Sequence, residues 1–124
     1  MEPSSERRFP PEHRLLDARS FSRVFANAAR SRDRLFTVLY RENDAGIARL
    51  GLAISRKHCR KAVERNRIKR VVRESFRHHG ELLAGLDIVV LNQAATATAL
   101  NSAMFDSLAG HWRRCVRGRS GGKQ

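Results

Sequence analysis

Cysteine, proline, tryptophan, tyrosine and acid are all scarce in this chain of 124 residues, and each scarcity removes a class of protein. Two cysteines, Cys59 and Cys115, cannot build a disulfide scaffold, and with no secretion signal they are expected to be reduced thiols. The pairs His58-Cys59, His78-His79 and His111/Cys115 complete no Cys-x-x-Cys or His-Glu-x-x-His spacing, so no metal site is predicted. Asp and Glu total only 12, many alternate with Arg, and no pair is placed to hold two divalent ions for phosphodiester hydrolysis. A glycine-rich phosphate loop is missing, and nothing favours a Ser or Cys nucleophile. No apolar run approaches the roughly 18 residues of a membrane span. The expectation is a cytoplasmic protein without membrane contact and without catalytic residues of its own.

What the chain does hold is positive charge. Its 25 Lys and Arg give a formal net charge of +13, which points to a polyanionic partner that supplies countercharge. The length suits one domain burying roughly two-thirds of its unfolded surface. Ten of the basic residues, against two Glu, fall between Arg56 and Arg77. Ile68, Val71, Val72 and Phe76 keep a helical apolar stripe through that segment, so it reads as a folded basic helix ending before Gly80. At 3.6 residues per turn, Asn66, Arg70, Arg73 and Arg77 share the face opposite the stripe, with Lys69 at its edge. Guanidinium forks and an amide on one face suit phosphate and base or ribose edges.

Residues 1–13 carry Pro3, Pro10 and Pro11 without apolar period and read as a flexible arm; 14–117 form the domain, and 118–124 a flexible basic tail. Asp17 or Ser20 caps a first helix, where Phe21, Val24, Phe25 and Ala28 recur at helical spacing. A strand is expected at Leu35 to Arg41 and another at Ala48 to Ser55. The turn chemistry of Glu42 to Gly46 between them suggests an antiparallel hairpin. Leu86 to Leu91 is a continuous apolar run, the pattern of a strand buried on both sides. The last helix runs from about Asn101 to Arg117, with Leu100, Met104, Leu108, Trp112 and Cys115 on one side.

The second strand has unequal faces. Leu50, Leu52 and Ile54 point to the core, while Arg49, Gly51, Ala53, Ser55 and Lys57 form a shallow floor between cationic ends. Such a floor either receives an extended single strand or admits a packing helix. Likewise Phe21 and Phe25 are either stacking platforms for bases or ordinary core.

The run KAVERNRIKRVVRESFR, preceded by RLGLAIS-RK and followed by a short buried strand, resembles the protein subunit of bacterial ribonuclease P. The likeness extends from about His13 to Arg117 and includes the Phe-x-x-Val-Phe stripe. It implies an α+β fold, an α/β sandwich of a mixed four-stranded sheet and three helices in the order α-β-β-β-α-β-α. It also implies a left-handed strand-helix-strand crossover, against the usual rule, and a short extra strand near Ala29 to Arg34. The function implied is removal of the 5′ leader from precursor tRNA, with the catalytic groups on a large RNA. By the same resemblance Arg65, Asn66, Arg67, Lys69, Arg70 and Arg73 contact that RNA. Phe21, Phe25, Ser55, Arg56 and Lys57 line the leader cleft, joined by one further aromatic, Tyr40 in preference to Phe36. Mg2+ is expected in the holoenzyme, held mainly by RNA, and no obligatory protein partner is implied. A structural RNA-binding protein and a stand-alone nuclease are the alternatives. The first would need no aromatic cleft, and the second would need an acidic or His-centred site.

Overall fold

The computed structural model describes Ala26 and residues 28–118. The expected arm, first helix and tail, with Phe21 and Phe25, lie outside the described residues. Within them the order is β1 (Ala29–Arg32), β2 (Phe36–Glu42), β3 (Arg49–Ala53), α1 (Ala62–His78), β4 (Leu86–Asn92), a 3-10 turn (Ala94–Thr98) and α2 (Asn101–Gly118). The short strand implied near Ala29 is present as β1, so the sheet has four strands and is mixed.

The hairpin expected between β2 and β3 does not form. The sheet order is β1-β2-β4-β3, with β4 antiparallel to β2 and parallel to β3. Turn chemistry reports a chain reversal, not which strand fills the gap. Ile88, Val89 and Val90 are fully buried, and a strand apolar on both faces is best covered at the sheet centre, where both its edges are also paired. The 43–47 turn is stitched to the start of β4 instead. Asn43 N–H donates to the Gly85 carbonyl at 2.8 Å, and its side-chain amide donates to Asp87 Oδ1 at 2.7 Å. Gly46 and Gly85, at φ 78° and 88°, supply the left-handed backbone at these two reversals.

One face of the sheet carries both helices. Phe36, Val38, Tyr40, Leu50, Ile88 and Val90 meet Ile68, Val71, Val72 and Phe76 of α1 and Met104, Leu108, Trp112 and Cys115 of α2. Leu100, expected on that stripe, precedes the helix and is 73% exposed. α1 begins at Ala62 rather than at Arg56, because Cys59 N–H bonds back to the Ser55 and Arg56 carbonyls and closes a turn first. Both cysteines are free and buried. Burial pushes the Cys115 thiol up to about 12, so it packs as a small apolar group. Among the described residues no helix is long and apolar enough to cross a membrane.

Candidate nucleic-acid interface

Asn66, Arg70 and Arg73 are exposed on the outer face of α1, while Ile68, Val71, Val72, Ser75 and Phe76 are buried on the inner one. The helical wheel read from the sequence is therefore rotated correctly. Lys69 is half-buried at the margin. Arg77, also on this side, is tied to Glu74 by a 2.6 Å ion pair one turn back. Arg65 and Arg67 behave differently. Arg65 Nη1 donates to the carbonyls of Cys59 and Arg60 at 3.1 and 2.9 Å. Arg67 Nε meets Glu64 at 2.7 Å, and its Nη1 donates to the Ala99 carbonyl and to Asn101 Oδ1 at 3.1 and 2.6 Å. Both spend donors on the protein itself.

The second surface is the sheet face turned away from the helices. Registry sets its rows: Arg30, Leu39, Val89 and Gly51 form one, and Arg32, Thr37, Leu91 and Ala53 the next. Leu39 and Val89 form a small apolar cluster with Ala28, Ala53 and Leu91. With Leu39 6% and Val89 0% exposed, the middle of the face is filled rather than open. Space appears toward the C-terminal ends of the parallel strands β3 and β4. A groove of about 430 Å³ is lined there by the apolar Leu39, Ala53 and Leu91 and by Arg30, Thr37, Ser55, His58, Asn92 and Gln93.

A polar network frames that groove. Asn92, 2% exposed, accepts the Ser55 N–H on Oδ1 at 2.7 Å and so anchors the turn that carries Arg56 and Lys57, both exposed. Gln93 donates to the Thr37 hydroxyl at 2.6 Å, and Thr96 donates to the Gln93 carbonyl at 2.7 Å. Of the residues the resemblance assigns to the cleft, Ser55 lines the groove, and Arg56 and Lys57 follow it in the exposed turn between Ser55 and His58. Tyr40 and Phe36 do not join them. Strand alternation puts both on the helix-covered face, 8% and 0% exposed, so neither lines the groove; the residues of β2 on the groove side are Thr37, Leu39 and Arg41. Asn92, Gln93, Thr37 and Arg30 were missed. The polar pair directly after the apolar run of β4 was the available signal, but only the parallel pairing of β3 and β4 brings it beside Ser55.

At the other end of the same face, Arg49 grips Asp87 with Nε to Oδ1 at 2.8 Å and Nη2 to Oδ2 at 3.1 Å. Asn43 takes a further bond to Oδ1, so this carboxylate, 4% exposed, has both oxygens engaged. Asp33, in the turn between β1 and β2, is also occupied. Burial works to raise its pKa, but bonds from the Ser107 hydroxyl and the Phe36 and Leu35 amides, with the His111 charge, outweigh that and hold it at about 2. Among the described residues no three His, Cys, Asp or Glu side chains converge to hold a metal ion.

The family model for Ribonuclease P matches residues 9–116 of the chain. The ribonuclease P protein component of Methylococcus capsulatus is 50% identical over 112 residues, covering 86% of this chain and 87% of that one. Among solved structures, the RNase P protein of Staphylococcus aureus superposes with a TM-score of 0.78 at 27% identity, over 83% of this chain and 94% of the other. That of Thermotoga maritima gives 0.73 at 31% identity, over 82% and 96%.

Proposed function

The chain belongs to the ribonuclease P protein family, whose work is tRNA 5′ processing together with an RNA subunit, and on that premise we propose how this molecule divides the task. The outer face of α1, with Arg65, Asn66, Arg67, Lys69, Arg70 and Arg73, docks on the catalytic RNA. The groove at the ends of β3 and β4 receives the single-stranded 5′ leader of precursor tRNA, with Ser55, Arg56 and Lys57 at its mouth and Phe21 and Phe25 as stacking partners. Thr37 and Gln93 take the place on the groove wall expected of Tyr40. A third, N-terminal helix and a left-handed β3-α1-β4 crossover complete the proposed fold.

One observation carries this reading: a cationic helix face and a groove with a polar rim are distinct surfaces that share a single turn, residues 55–61. A protein holding one folded RNA needs only the first. Two surfaces serve a protein that grips one RNA while placing another. Phosphate contacts along α1 supply affinity, and contacts in the groove supply preference for substrates with a leader. Hydrolysis belongs to the RNA in this reading. Mg2+ is assigned mainly to the RNA as well; Asp87 and Asp33 have their oxygens committed within the protein.

The test is reconstitution. At low Mg2+ the catalytic RNA with this protein should cleave precursor tRNA faster than the RNA alone, and the protein alone should cleave nothing. Binding that ignores the leader would favour a purely structural RNA-binding protein, and cleavage by the protein alone would favour a nuclease.

A further inference from the structure

Arg65 and Arg67 lie about 200° apart around α1, so they leave the helix on opposite flanks, with the exposed Asn66 between them. Arg65 holds Cys59 and Arg60, in the segment leaving β3. Arg67 holds Ala99 and Asn101, in the segment leaving β4. Because β3 and β4 are parallel, both segments leave the sheet at the same edge. That edge is where the groove opens, with Ser55 and His58 from the first segment and Asn92 and Gln93 from the second strand's end. The turn carrying Arg56 and Lys57 is thus hung from two points. Asn92 Oδ1 accepts the Ser55 N–H at its start, and Arg65 Nη1 donates to the two carbonyls at its end.

We infer that Arg65 and Arg67 are positioning residues for the leader groove, each clipping one of its two bordering segments to the helix that docks on the catalytic RNA. Docking and leader placement are then coupled through shared side chains. The inference rests on the functional reading above and deepens it. A phosphate contact needs only positive charge at these positions, whereas each clip is a single Nη1 donating to two acceptors at once, one bond farther from the backbone than a lysine ammonium reaches. A Lys keeps the first and loses the second.

Full-length Arg65→Lys therefore separates the two roles. Hydrogen exchange on the protein alone reads the clip through the Cys59 amide, bonded to the Ser55 and Arg56 carbonyls. It should exchange faster in Arg65→Lys while the melting temperature stays near that of the parent. In the assembled holoenzyme the preference for leader-bearing over mature tRNA should fall roughly 5-fold or more, the low end of ordinary coupling between sites. Affinity for the catalytic RNA should fall by less. Arg67→Lys should loosen the Ala99 and Met104 amides in the same way. Unchanged exchange in both variants overturns the clips, and equal losses of leader preference and RNA affinity overturn the positioning role. A parent protein without any leader preference would overturn the functional reading instead, and the exchange result is independent of it.

Discussion

The indole Nε1 of Trp112 donates to the Ser75 hydroxyl at 2.8 Å in the middle of the helix layer, joining α2 to α1 at a fully buried point. The Phe76 ring meets the same indole edge-on, centroids 6.1 Å apart and planes at 76°. A polar residue in the apolar stripe of the basic helix is thereby explained: Ser75 satisfies the one polar atom of the largest core side chain. It also sets how α1 lies on the sheet, and therefore where its cationic face points.

Ser75→Ala should destabilise the fold by about 1–3 kcal/mol, because it leaves the Trp112 N–H buried without its acceptor. A urea titration followed by tryptophan fluorescence measures this directly. A midpoint equal to that of the parent protein would show that another acceptor takes over.

The protein should lose stability on mild acidification through His111. Its Nδ1 lies 2.7 Å from the Ser31 hydroxyl and 3.2 Å from Arg114 Nη2, and its Nε2 lies 3.2 Å from Asp33 Oδ1, outside hydrogen-bonding alignment. Burial lowers its pKa below the ordinary 6.5; attraction to Asp33 opposes this, and repulsion from Arg114 adds to it. The folded state therefore binds this proton less readily than the unfolded chain. Stability from this group is full above 6.5 and falls as pH drops through that value. Asp33, held at about 2 against an ordinary 3.8, adds a second loss between those values. Melting temperatures from pH 8 to 5 should decline in the parent and flatten in His111→Gln.

Arg70→Ala or Arg73→Ala should weaken binding to the catalytic RNA and reduce the log-log salt slope by about 0.7 to 0.9 for each phosphate no longer neutralised. Val72→Thr, on the opposite side of the same helix, should cost about 1–3 kcal/mol of folding free energy by burying a hydroxyl without a partner. Equal salt slopes in parent and both arginine variants would remove this face from the interface.

Lys57→Ala should lower affinity for precursor tRNA with a leader of several nucleotides, more steeply at low salt, and leave mature tRNA unaffected. Phe25→Ala should follow the same substrate pattern with a loss of about 1–3 kcal/mol if one base stacks there. Competition between the two tRNAs for the holoenzyme measures both, after melting curves establish that the variants fold.

How far the residues alone reach is clearest on α1. Its apolar stripe and cationic face follow from a 3.6-residue period, which is local, so Asn66, Arg70 and Arg73 were correctly placed outward. The double-sided burial of β4 was also legible, because a continuous apolar run has no polar face to expose. Strand order was not legible, since the pattern of β2 and β3 is the same whether they pair with each other or with a third strand. Tyr40 shows a second limit: with Phe36 and Tyr40 in phase, choosing between them could not change the face, and only the packing of α1 and α2 reveals that this face is covered. Arg65 and Arg67 show the third. Charge is written in the sequence, but which arginine turns back to a carbonyl is not: Arg65 bonds the turn just before α1, and Arg67 bonds Ala99, 32 residues on and beyond β4. Composition and period determined that this chain is a basic α+β protein carrying a cationic helix. The contacts across the parallel pair of strands decided where its groove lies, because hydrogen-bonded registry is a property of two segments and neither segment encodes it alone.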